Sequence, residues 1–488
     1  MKKILSIIVA VTVGLFAFSS CTDWLDVAPK TDLPAEELFE TENGYLSALA
    51  GLYIAMTEED IYGNNLSFGI VEQLAQFYDK LPDVSADRRS VYMYTQTTNN
   101  AYNTKSILGN IWLAQYKVIA NANNLLKWLD INGDAVITSA NMYNMLRGEA
   151  LALRAFLHFD ILRGWGPVNY AGNPAVRDMK CMPYRTVADA SKQPLLKANV
   201  VVEKIINDLL EARECLSYES NIDLLNRVDM SRRNRFNYHA VNAMLARVYN
   251  YAGEKEKAKE CALAVIDACG LSLESGNDDD PVLSREVIFG INIYEMKDRM
   301  EDYFAGGDKI NTKNYITYTT LEAIFQTSAA EAGDMRAKTT AFLRNNDLRM
   351  AVTRKYIDND NEILPLIRLP EMFYIACEAS EGADAADYVN RVRNKRGLSS
   401  AEDVSCDNEE QRIDALDNEY RKEFYAEGQY FWFLKSHGLI GTLVHYPEVT
   451  LVEDNFIFPL PDREKEYGWT QENDADESDA SGDEVSQN

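Results

Sequence analysis

Histidine, cysteine pairs and basic charge are all scarce in this chain of 488 residues, and each scarcity excludes something. The four histidines (His158, His239, His437 and His445) form no HExxH and no close pair, which removes the common zinc-hydrolase arrangement. The cysteines that follow Cys21 are Cys181, Cys215, Cys261, Cys269, Cys377 and Cys406; they make no CxxC and no zinc spacing. Cys261 and Cys269, eight apart on a predicted helix, stand too far apart along its axis to be bridged. Most of the six read as small core residues. No GxSxG elbow, Walker A loop or GxGxxG is present. Lys and Arg number 49 against 76 Asp and Glu, a formal charge of -27. Nucleic acid and anionic lipid headgroups are therefore excluded as main partners, since both need clustered cations. Beyond the first 20 residues no apolar run reaches the length of a membrane span.

What is present begins at the N-terminus. Lys2 and Lys3 precede an apolar run from Ile4 to Phe18, and Ser19-Ser20-Cys21 follows. This is the layout of a secretory signal over residues 1–20. Ala17-Phe18-Ser19-Ser20-Cys21 resembles a bacterial lipobox, which implies lipidation of Cys21; the alternative is an ordinary signal peptide with a chance cysteine.

Apolar periodicity of three and four predicts helices from Thr41 through Tyr53, over 107–129, 140–163, 196–215, 369–378 and 384–396, and one long helix over 412–434. Residues 236–269 read as two antiparallel helices broken at Gly253, with Ala246, Ala258 and Ala262 where they touch. That spacing resembles a tetratricopeptide hairpin. Residues 57–105 are read as a long irregular stretch, and about 270–360 as a loop-rich insert, within one body covering 21–470. Residues 471–488 carry seven acids and no base, and read as a disordered acidic tail. The fold class expected is mainly α, a helical-hairpin scaffold with an irregular, loop-rich ligand-binding portion.

Several segments in order resemble the SusD/RagB family of nutrient-uptake lipoproteins. They are Cys21-Thr22-Asp23-Trp24-Leu25-Asp26, Arg147 to Phe156 with Phe159 to Val168, Ile367 to Tyr374, Asn390 to Leu398, Glu423 to Trp432 and Phe458-Pro459-Leu460-Pro461. Gln429-Tyr430-Phe431 departs from the usual pattern, and the acidic tail is not a family feature. The resemblance implies a non-catalytic lipoprotein on the outer membrane that captures an oligosaccharide and serves a SusC-like TonB-dependent transporter. Some members are linked to peptide uptake instead. Within that resemblance Arg154, Asp160, Arg163, Trp165 and Arg368 read as packing residues, because buried Arg and Asp persist when they pair.

A sugar offers C–H faces ringed by hydroxyls, so its binder needs aromatic faces beside amide and charged groups. Two stretches have that composition: Tyr92, Tyr94, Asn99 and Tyr102, and Tyr294, Tyr303, Asn314, Tyr315 and Tyr318. Tyr62, Phe77 and Tyr78 form a weaker third. Tyr92 and Tyr94 are spaced to share the face of a strand. For each ring the competing reading is core packing. No cofactor or metal is called for. A calcium site near Asp278-Asp279-Asp280 competes with a solvated turn. A glycosidase pair and a purely structural surface role are the remaining alternatives.

Overall fold

A computed structural model describes residues 35–79, 91–92, 94, 102–226, 230–276, 280–307, 310, 314–326, 333–440, 451–464 and 466. Cys21, the signal segment, Asn99 and the acidic tail lie outside them.

Among the described residues eight helices form the scaffold. α1 (Glu42–Met56) is capped by Thr41, whose hydroxyl accepts from the Gly44 amide at 3.1 Å. α2 is Tyr102–Trp128 and α3 is Ala140–Trp165. A short antiparallel pair, β1 (Lys180–Met182) and β2 (Leu196–Lys197), leads into α4 (Ala198–Cys215). α5 (Tyr238–Ala252) ends at Gly253, whose φ of 78° is the left-handed cap that glycine favours, and α6 (Lys255–Ala268) returns along it. Ala246, Ala258 and Ala262 are fully buried at that contact, as the repeat-like spacing predicts. Beyond the insert follow α8 (Leu369–Glu378) and α9 (Gly382–Lys395). Helices adjacent in this order pack on one another, α1 to α2 to α3 to α4 to α5 to α6 to α8 to α9, so the scaffold is a layered series of hairpins.

Between α6 and α8 the chain makes β3 (Val287–Asn292), β4 (Ile316–Thr317), α7 (Tyr318–Phe325), β5 (Phe342–Asn345), β6 (Met350–Thr353) and β7 (Ile363–Arg368). β3 pairs antiparallel with β7; β4, β6 and β5 form a second antiparallel sheet in that spatial order.

The single helix expected over 412–434 is two. α10 (Glu409–Glu423) and α11 (Gln429–His437) are separated by a turn with Ala426 at φ 63° and Gly428 at φ 73°. The carboxyl of Glu72 accepts from the amides of Ala426 at 3.0 Å and Gly428 at 2.6 Å, so a residue from a distant segment fixes the break. Residues 57–79 also depart from expectation: Tyr62, Phe68, Phe77 and Tyr78 are buried in the main core rather than carried on a surface loop. One hydrophobic cluster runs from Phe39 to Phe458.

Four buried arginines and a partly buried lysine meet five buried acids where β7, α9 and α10 come together. Arg368 binds Glu427, Glu423 and Glu286; Arg396 binds Glu286 and Glu423; Arg336 binds Asp334 and Glu419; Arg393 binds Glu419; Lys355 binds Glu427. Such a network is worth little against an apolar equivalent, but removing one member strands a buried charge.

Candidate ligand-binding surface

The nominated aromatic residues separate into core and surface. Tyr92 and Tyr94 are 4% and 2% exposed, and they share no strand: Tyr92 is helical and Tyr94 has φ 51°. Tyr94 donates its hydroxyl to the Leu74 carbonyl and packs on Phe456 at 5.4 Å. Asn314 and Tyr315 are buried too. These four, with Tyr62, Phe77 and Tyr78, correct the expectation of exposed rings: loop-like composition around them concealed core positions, because turns carry no apolar period. Tyr102 is the first residue of α2.

Tyr318, Tyr303 and Tyr294 reach the surface to different extents. Thr317 caps α7 by accepting from the Thr320 amide at 3.2 Å, and Asp79 binds the Thr317 amide and the Thr320 hydroxyl at 2.5 and 2.9 Å. Tyr318, the first residue of α7, is thus held against the β5–β6 hairpin. Its amide donates to Arg349 at 3.0 Å and its hydroxyl to Asn346 Oδ1 at 2.7 Å. The guanidinium groups of Arg344 and Arg349 lie 5.4 and 5.6 Å from its ring centroid. Leu343 and Leu348 are exposed on the same hairpin. Asn345 donates to the Gly307 carbonyl at 3.3 Å, tying the hairpin to the segment that holds Tyr303. The Tyr303 ring packs on Phe68 at 5.2 Å, and burial, with Glu59 beside it, pushes its hydroxyl up to about 12. Tyr294 projects from the turn after β3 and is 73% exposed.

The hairpin surface therefore combines an oriented aromatic face, apolar Leu side chains, guanidinium donors and carboxamides. Sequence reasoning found Tyr318 but not Arg344, Asn345, Asn346 or Arg349. The turn chemistry of Arg344-Asn345-Asn346-Asp347 was the available signal. Of the acidic run at 278–280, Asp278 and Asp279 lie outside the described residues; Asp280 accepts from the amide and hydroxyl of Ser284.

Comparison with known proteins decides the family. Residues 23–250 match the family model described as "Starch-binding associating with outer membrane", and residues 246–435 match that of the SusD family. The chain belongs to the SusD/RagB family. "SusD-like protein P25" of Formosa agariphila is 29% identical over 36% of this chain, a match spanning only 32% of that relative's length. "SusD-like protein P38" of the same organism is 22% identical over 94% of this chain and 97% of its own. A solved "SusD-like carbohydrate binding protein" from Bacteroides vulgatus superposes with a TM-score of 0.67 at 18% identity, covering 88% of this chain and 96% of that one, a likeness of fold.

In this SusD/RagB protein the residues that carry the family resemblance serve packing, as their pairing predicts. Arg154 holds Asp208 on α4 through two bonds of 2.6 and 2.7 Å. Asp160 accepts from Tyr62 at 2.6 Å and from Arg163. Trp165 donates to the Pro459 carbonyl at 3.0 Å. His158 is a core residue: burial and nearby Arg154 lower it to about 3, and neutral Nε2 accepts from the Arg185 amide at 3.1 Å. All six described cysteines are free, five of them buried. Among the described residues no helix is long and apolar enough to cross a membrane.

Proposed function

We propose that this chain captures a carbohydrate at the cell surface, anchored through lipidated Cys21, and delivers it intact to a SusC-like TonB-dependent outer membrane transporter. Family membership supports the class of ligand, and the printed description of the B. vulgatus relative as carbohydrate binding points the same way. The observation that carries the site is the Tyr318 ring, fixed by Asn346 and flanked by two guanidinium groups on a partly apolar hairpin. Tyr303, on the segment that Asn345 ties to the hairpin through Gly307, is the candidate neighbour for a longer chain. Delivery follows from the family rather than from any interface described above.

A glycan-array screen of the full chain, with peptide pools alongside and the sugars recovered afterwards, tests this reading. Saturable glycan binding with unchanged sugar length is expected. Peptide binding alone would replace the ligand class, and shortened sugars would replace capture with catalysis. Recovery of a barrel protein with the tagged chain from its native membrane tests delivery.

A further inference from the structure

A cavity of about 490 Å³ opens among the scaffold helices, lined from α3, α5, α8, α10 and α11 with the 169–172 segment and Lys255 at the start of α6. Its volume is that of a small-molecule pocket. It is separate from the Tyr318 hairpin, none of whose residues line it.

Lys255 and Glu409 line the cavity at its exposed edge, and the buried charged groups differ in how far they are partnered. Glu371 is held by Arg247 at 2.6 and 2.7 Å, and Glu378 by His437 at 2.9 Å and Asn250 at 2.8 Å. Arg163 is paired with Asp160. Arg412 is only 6% exposed, and its Nε is buried with no hydrogen-bond partner among the described residues. Two further buried donors are unpartnered, Arg247 Nη1 and the Tyr251 hydroxyl, on residues 6% and 9% exposed. The Asn250 Oδ1 acceptor is unpartnered as well. Buried polar atoms in folded proteins are nearly always satisfied, so four around one cavity call for a guest. Three donors, two of them cationic, call for an acceptor-rich anion; the lone acceptor calls for a hydroxyl on the same molecule.

We propose that this cavity is a second ligand site, taking a small hydroxylated carboxylate such as a sugar acid. The carboxylate accepts from Arg412, Arg247 and Tyr251, and a hydroxyl donates to Asn250. The cavity's volume fits one sugar-sized residue, a monomer or the end of a chain, and the site does not depend on the glycan reading of the hairpin.

Titration calorimetry of the full chain with glucuronate and galacturonate tests it, with glucose and inorganic sulfate as parallel probes. One or both acids should bind saturably and glucose should not. Arg412→Met and Tyr251→Phe should each weaken that binding about tenfold or more, as loss of a bond to a charged group does. Tyr251→Phe removes one oxygen only, so it keeps the test open if Arg412→Met fails to fold. No saturable binding of either acid, equal binding of glucose, binding of sulfate alone, or acid binding untouched in both folded variants would each overturn the proposal.

Discussion

Arg396 and Arg412 are both buried arginines in the C-terminal part of the chain, yet their surroundings differ in kind. Arg396 spends its donors on Glu286, Glu423 and the Glu274 carbonyl. Arg412 lines a cavity, and its Nε is buried with no hydrogen-bond partner among the described residues. The first environment is complete and structural. The second is incomplete in a way that a ligand would complete. The same division separates the tyrosines: Tyr92 and Tyr94 are locked in the core, whereas Tyr318 is oriented but accessible at its hairpin.

Mutations at each pole sharpen this contrast. Glu423→Ala should lower stability most, by about 3–5 kcal/mol in a denaturant titration, because it takes one carboxylate from each of Arg368, Arg396 and Arg336 and leaves their buried positive charge under-compensated. Tyr94→Ala should cost about as much, roughly 3–5 kcal/mol, as removal of a buried aromatic side chain does. If Tyr94→Ala instead leaves the melting temperature unchanged, the core assignment fails. Tyr294→Ala, at an exposed position, should change stability by less than about 0.5 kcal/mol.

Acid should expose the complete network. Burial alone would raise Glu419, but Arg336 and Arg393 pull it down to about 2; Glu423 is likewise held well below the usual range by Arg396 and Arg368. A lowered folded-state value contributes stability above the unfolded value of 4.5 that is lost as pH falls through the folded one. His158, lowered to about 3 by burial and Arg154, adds a loss that begins below 6.5. The urea midpoint should therefore fall as pH drops from 4.5 to 3, where both glutamates and His158 lose stability together. Glu72 acts in the opposite sense. Burial raises it to about 8, so its contribution is full below 4.5 and is lost as pH rises through 8.

The scaffold was legible because its helices carry both an apolar period and local signals, a start at Thr41 and stops at Gly253 and Gly397. The break between α10 and α11 was not, since the carboxyl that fixes it belongs to Glu72, more than three hundred residues earlier. Gly428 was the only local hint. The buried aromatic residues of 57–94 were misread as surface because Asn, Gln and Gly around them mimic a binding loop. Of the candidate site, Tyr318 was legible by composition, whereas its partners Arg344, Asn346 and Arg349 meet it only through the pairing of β4, β6 and β5. The internal cavity was invisible, as five helices from separate parts of the chain must converge before it exists.

Titrating the full chain and its Tyr318→Ala variant with an oligosaccharide selected on the array, and sizing the sugar afterwards, tests capture at the hairpin most directly. The expected result is binding weakened by about 1 kcal/mol or more in a variant that melts as the parent does, with the sugar intact. Equal affinity in the two proteins, or a shortened sugar, would contradict it.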